Sequence, residues 1–154
     1  MKLSHLKKEI QKFCDKSKDW TCSEDFFIIM KREKNRSYRT GLPVTLISIK
    51  FYSEPNKISN TSAIRHLALV KKLIEIISAD TRECDIKHLS EKFVIEVLLT
   101  HTALDGAKSF TEKISKKLYD QSIADGDREL QDIIKDFKFD LYPLNEISRN
   151  NKYE

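Results

Sequence analysis

The sequence predicts an α+β domain with a central, mainly antiparallel sheet flanked by helices. Two strongly apolar strand patterns, 44–52 and 93–100, lie on either side of a long amphipathic helix pattern. A short strand pattern at 86–89 adjoins the second of them, as in a hairpin. The length agrees: 154 residues suit one compact domain, and a domain of that size buries roughly two thirds of its unfolded surface without staples.

Leu3, Leu6, Ile10 and Phe13 recur at steps of three, four and three, which gives a helix with one apolar stripe. The stripe suits either a short coiled-coil seam or a helix packed on its own domain. Residues 16–21 read as a linker. A second helix follows, with Thr21 or Ser23 as its N-cap and Glu24 and Asp25 favourable in its first turn. Phe26, Phe27 and Met30 supply its expected buried face. Gly41 is its expected C-cap, with Pro43 just beyond.

In the first strand, 44–52, Thr45, Ile47, Ile49 and Phe51 point one way and Leu46, Ser48 and Lys50 the other. After a polar loop at 53–61, a helix is expected from about 63 to 79, with Leu69, Leu73, Ile76 and Ile77 on one face. The strand at 93–100 is apolar on both sides at several positions, so a central place in the sheet is expected. Thr102-x-x-Asp105 reads as a capping-box variant opening the next helix, whose inner stripe is Ala107, Phe110, Ile114 and Leu118. Residues 124–127 read as a turn. Leu130, Ile133 and Ile134 leave the following segment ambiguous, and Phe137, Phe139 and Leu141 alternate as a strand. Residues 145–154 read as a frayed tail.

Several function classes are excluded by composition and spacing. Met1–Phe13 is interrupted by Lys2, Lys7, Lys8 and Glu9 and has no signal-peptide core. No apolar run approaches the roughly 20 residues that cross a bilayer, so no membrane insertion is expected and the chain reads as cytoplasmic. Cys14, Cys22 and Cys84 are odd in number, and with His5, His66, His88 and His101 they make no metal-ligand spacing. They read as reduced structural thiols. The basic stretch Lys31–Arg39 interleaves only Tyr38, so a nucleic-acid partner is not expected and a solvated helix face is.

Residues 22 to about 142 resemble the GGDEF (diguanylate cyclase) domain in the order and spacing of their pieces. Phe26–Arg39, with its repeated basic positions, resembles that family's leading helix, and Gly41-Leu42-Pro43-Val44-Thr45-Leu46-Ile47-Ser48-Ile49 resembles its entry into the first strand. Thr81-Arg82-Glu83-Cys84-Asp85 resembles the end of its long helix. Asp105-Gly106-Ala107 with Phe110 resembles the start of the helix after the signature hairpin. The resemblance implies a nucleotidyl cyclase-like fold with a ferredoxin-like core. It divides the chain into an N-terminal helix and linker (1–18), a degenerate GGDEF-like domain (19–147) and a tail (148–154).

The departures from the family pattern bear on activity. Active members hold two divalent cations through carboxylates, since Mg²⁺ is a hard cation that takes oxygen ligands. Where the family has a metal-binding Asp at the end of the first strand, this chain has Lys50, whose ammonium repels a metal. Glu91-Lys92-Phe93 can be laid on the Asp-Glu-Phe part of the signature, but no Gly-Gly pair precedes it. Glycines are what let a backbone approach a nucleotide closely. Glu91 accordingly reads as a solvated hairpin residue. The last helix and strand of the family are not found after Leu141.

Arg82-Glu83-Cys84-Asp85 matches the Arg-x-x-Asp motif through which family members bind cyclic di-GMP as an inhibitor. Arg82 offers a planar fork to phosphate or to a guanine edge, and Asp85 an acceptor for a guanine N–H. Both are expected at a surface edge. The alternative is that the two only terminate a helix and pair with each other across one turn. The sequence therefore points to a non-catalytic, bacterial-type signalling module, with no catalytic residue, no metal and no cofactor, acting through a protein partner or a homodimer. The alternative function is a cyclic di-GMP receptor through Arg82 and Asp85. An active diguanylate cyclase is disfavoured.

Overall fold

The computed structural model describes residues 3–16, 20–51, 60–134 and 137–144. Among them, helices α1 (Leu3–Lys16), α2 (Ser23–Thr40), α3 (Asn60–Asp80), α4 (Leu104–Ala124) and α5 (Arg128–Ile134) flank one sheet. Its strands are β1 (Trp20–Thr21), β2 (Thr45–Phe51), β3 (Ile86–Leu89), β4 (Ile95–Leu99) and β5 (Phe137–Pro143), in the order β1-β3-β4-β2-β5. β1 runs parallel to β3, and every other pairing is antiparallel. β4 is central, as its two-sided apolar pattern implies.

Alternation along the strands decides which core each residue joins. Ile47, Ile49, Ile95, Val97 and Leu99 face the larger core. There they meet Leu6 and Ile10 of α1, Val70, Leu73, Ile74 and Ile77 of α3, Ile114 and Leu118 of α4 and Leu130 of α5. Leu46 and Leu98 point to the other face, where Phe26 and Met30 of α2, with Val44 and Leu144, close over them and Ile29, Ile86 and Tyr142 pack at the margin. A fully buried side chain such as Ile47 or Leu98 contributes about 1.5–3 kcal/mol. The sheet is thus clamped from both sides, deeply on one and narrowly on the other.

The differences from the sequence reading have local causes. The stripe of α1 runs through Leu6, Ile10 and Cys14 onto the domain's own core, while Phe13 is 39% exposed. Residues 17–19 lie outside the described residues, but Trp20–Thr21 is a strand and not linker. It is held by parallel pairing of Trp20 with Lys87 and Thr21 with His88. The Trp20 indole N–H also donates to Ser78 Oγ at 2.9 Å. The N-cap of α2 is Cys22, with no side-chain cap bond, because Thr21 is spent on β3, its Oγ1 donating to the Lys87 carbonyl. Phe27 is exposed, since the face that α2 turns inward runs through Phe26, Met30 and Ser37. Gly41 caps α2 as expected, at φ 73°, with its N–H donating to the Ser37 carbonyl. The cap of α4 is Ala103, again without a side-chain bond; Thr102 has another role, described below.

Candidate functional site

Two places in the fold hold the residues singled out in the sequence: the tip of the β3–β4 hairpin lies beside the end of β2, and the α3–β3 connection lies at the opposite end of the same strands, beside the end of β4. The hairpin pairs Leu89 with Ile95. Its turn is closed by the Phe93 N–H donating to the Ser90 carbonyl and the Ser90 N–H donating to the Val94 carbonyl, both at 2.9 Å. Ser90 Oγ also accepts from the Val94 N–H at 3.0 Å. Glu91 and Lys92 occupy the two exposed central positions of the turn. Phe93 adopts φ 60°, a left-handed conformation that glycine takes without strain and an aromatic residue does not. Packing offsets the strain: the Phe93 ring lies against the larger core, with Lys7 Nζ 5.8 Å from its centroid.

At the end of β2, Lys50 stands opposite Lys138 of β5. The two ammonium groups share one carboxylate: Lys138 Nζ lies 3.3 Å from Asp140 Oδ1 and Lys50 Nζ 4.0 Å from Asp140 Oδ2. In the next cross-strand row, Ser48 sits between Glu96 and Asp140, with His88 beyond Glu96. Burial raises the Glu96 carboxyl pKa above its ordinary value, against the opposing pull of His88 and Lys50. Among the described residues no group of three His, Cys, Asp or Glu side chains is placed to hold a metal ion. His88 is buried and ties the sheet to α2. Its Nδ1 lies 3.1 Å from the Thr21 carbonyl, its Nε2 3.3 Å from Ser23 Oγ, and its ring stacks on Phe26 at 5.0 Å.

Arg82 and Asp85 are brought together in a tight turn, the Asp85 N–H donating to the Arg82 carbonyl at 3.0 Å. Arg82 forks the carboxylate, with Nε 3.1 Å from Oδ2 and Nη2 2.9 Å from Oδ1. Asp85 is not at a surface edge: its side chain is 2% exposed, against 53% for Arg82. Both of its oxygens also accept backbone N–H groups, from Arg82 at 2.9 Å and Thr100 at 3.3 Å. Arg82 Nη2 further donates to the Thr100 carbonyl at 2.6 Å and to Thr102 Oγ1 at 3.0 Å. The hydrogen bond with Asp85 is the main reason the Arg82 pKa is raised above its ordinary value.

Thr102 is the residue the sequence reading missed, because Thr102-x-x-Asp105 resembles a helix cap. Its hydroxyl supports Arg82, its carbonyl accepts from Thr45 Oγ1 at 2.8 Å, and its N–H donates to the Pro43 carbonyl at 2.9 Å. Gly106 makes room for it: a Cβ there would meet the Thr102 methyl at 2.9 Å. His101, between the two threonines, takes φ 52°, the kind of backbone strain that clusters at sites holding unusual geometry.

No family model and no curated protein matches the sequence. Solved structures do. PelD from Pseudomonas aeruginosa PAO1, in complex with c-di-GMP, superposes with a TM-score of 0.55 at 16% identity, over 80% of this chain and 38% of that one. The diguanylate cyclase SiaD from Pseudomonas aeruginosa, in complex with its activator SiaC, gives 0.50 at 15% identity, over 75% and 46%. The chain has a GGDEF-like fold. It spans less than half the length of either of those two chains, and at such identities the likeness is one of fold. Within this fold, β2, α3 and the β3–β4 hairpin follow the order that the sequence resemblance implied, and Arg82 and Asp85 sit where the long helix gives way to the hairpin.

Proposed function

We propose that this chain is a non-catalytic GGDEF-like regulatory module that acts through contact with a protein partner or a second copy of itself. The charge arrangement at the end of β2 carries this reading. A pair of divalent cations needs clustered oxygen ligands, and here two ammonium groups already flank the Asp140 carboxylate. The hairpin tip argues the same way: Phe93 fills the left-handed position with a packed ring, leaving no glycine for a nucleotide to approach. Incubation of purified protein with GTP and Mg²⁺ or Mn²⁺ is expected to yield no cyclic di-GMP. Protein-dependent product would overturn the reading. Lys50→Asp alone is expected not to create activity, since the hairpin tip is unchanged.

A second reading, that the chain is a cyclic di-GMP receptor, is favoured by the geometry of Arg82. Its guanidinium is oriented by Asp85, Thr100 and Thr102 yet stays half-exposed, as a preorganised fork for a phosphate or guanine edge would be. PelD, one of the similar structures, carries c-di-GMP. In this arrangement Arg82 contacts the ligand and Asp85 holds Arg82. Loss of one charge-assisted hydrogen bond costs about 1.5–3 kcal/mol, so Arg82→Ala is expected to weaken binding roughly tenfold to a hundredfold in calorimetry. No binding at high micromolar ligand ends the receptor reading and leaves the protein-contact one. Binding that survives Arg82→Ala places the site elsewhere.

No helix among the described residues is long and apolar enough to cross a membrane.

A further inference from the structure

We propose that the outer face of α2 is a docking surface for an acidic, partly apolar segment of a protein partner, an inference that rests on the protein-contact reading above. Exposed large apolar side chains are concentrated there. Phe27 is 65% exposed, Ile28 58%, Tyr38 49% and Leu42, just past the cap, 45%. The opposite face is buried through Phe26, Met30 and Ser37. Helical spacing gathers Phe27, Lys31 and Tyr38 along one edge, with Ile28, Arg32, Asn35 and Arg39 beside them. Arg32, Asn35, Tyr38 and Arg39 line an open depression of about 570 Å³.

The charge on this face is uncompensated within the domain. Among the described residues no ion pair engages Lys31, Arg32 or Arg39, and Glu33 is spent on Arg36 at 3.0 Å. The only acids of the exposed face, Glu24 and Asp25, sit in the first turn, where the helix dipole favours them. A partner that covers the basic half must therefore bring carboxylates.

Composition and geometry select a protein over the other occupants. Arginine and aromatic side chains are what interface cores are enriched in, and three of the four exposed cations are arginine. An anionic bilayer would have to accept Glu24 and Asp25 beside the apolar end that inserts. A second copy paired antiparallel through this face would bring Lys31 and Arg32 of both chains together near the two-fold axis. A nucleic acid would find one aromatic among the cations and no second element forming a groove.

The test places a photo-crosslinking residue at Asn35 of the full chain, in the cells that make it, with Lys116 on α4 as the control position. A protein should be captured from position 35 and not 116, through a peptide rich in Asp or Glu beside apolar residues. Affinity of that purified partner should then fall at least tenfold with Arg32→Glu plus Arg39→Glu, and likewise with Phe27→Ala plus Ile28→Ala. It should also weaken as salt rises, while the unfolding midpoint of each exposed-site variant stays unchanged. Capture only of lipid, nucleic acid or a second copy, or no capture at 35, overturns the proposal. So does a captured partner whose affinity neither double variant changes. A partner captured only from 116 overturns this surface but leaves the protein-contact reading standing. GTP turnover would overturn the reading itself.

Discussion

Asp85→Ala is expected to destabilise the fold strongly, although it lies in a motif that in sequence looks like a surface pair. The carboxylate accepts the Thr100 N–H and the Arg82 N–H as well as the guanidinium fork. Alanine leaves the Thr100 N–H buried without an acceptor, at a cost of about 1–3 kcal/mol. The Arg82 N–H belongs to a half-exposed residue where water can substitute, so its loss adds only about 0.5–1.5 kcal/mol. The guanidinium rehydrates and adds little. The total is about 2–4 kcal/mol, which for a domain of this size lowers the melting temperature by roughly 5–15 °C. Arg82→Ala should cost only about 1 kcal/mol, because Asp85 keeps both backbone donors. Urea and thermal unfolding of wild type, Arg82→Ala, Asp85→Asn and Asp85→Ala measure the series, with Asp85→Asn expected between Arg82→Ala and Asp85→Ala. An Asp85→Ala midpoint within about 1 °C of wild type, or an Arg82→Ala loss larger than that of Asp85→Ala, would refute the argument.

Gly106→Ala should be neutral or destabilising despite the better helix propensity of alanine, since its Cβ meets the Thr102 methyl. In a Thr102→Ser background, which lacks that methyl, the same substitution should stabilise by up to about 1 kcal/mol in urea unfolding; equal effects in both backgrounds would contradict it. Burial pushes the Cys14 thiol pKa to about 11, while Cys22 and Cys84 are exposed. Thiol labelling of native protein at mildly alkaline pH should therefore modify those two and spare Cys14 until denaturant is added. Glu96 is raised by burial, so the folded state holds its proton at pH values where the unfolded chain has released it. Stability is then fully present below the ordinary carboxylate pKa and declines as pH rises through the raised one. Glu96→Gln should flatten that decline and stabilise the protein near neutral pH; an unchanged pH profile of unfolding would count against it.

What was legible in the sequence is what alternation and helical spacing determine locally. The partnership of β2 and β4, the central place of β4, the hairpin and the Gly41 cap all follow from periodicity and turn chemistry. β1 was not legible, because two residues carry no alternation and their pairing with Lys87 and His88 is decided more than sixty positions away. The roles of Thr102 and Asp85 were hidden for a related reason. Thr102 has the spacing of a cap, but Arg82, Thr45 and Pro43 claim its hydroxyl, carbonyl and N–H from distant parts of the chain. Asp85 has the spacing of a surface pair, but the end of β4 folds over it and Thr100 reaches it from fifteen residues away. Tertiary competition for hydrogen-bonding groups, rather than weak local signal, separates these residues from the ones that periodicity placed.

Lys50 also has a place in the charge balance of the sheet itself. It shares strand parity with Leu46 and Ser48 and so stands on the face that α2 only partly covers. That face carries Glu96 and Asp140 in one cross-strand row with Ser48 between them. Burial on this sheet face favours protonation of Glu96, which is the direction in which it is shifted. Lys50 opposes the shift at Glu96 and lies within ion-pair distance of Asp140. The positive charge that a bound cation would bring to clustered carboxylates is here part of the chain itself, tethered to β2. Exchanging Lys50 for an acid would remove that counter-charge and add a third carboxylate to the same face.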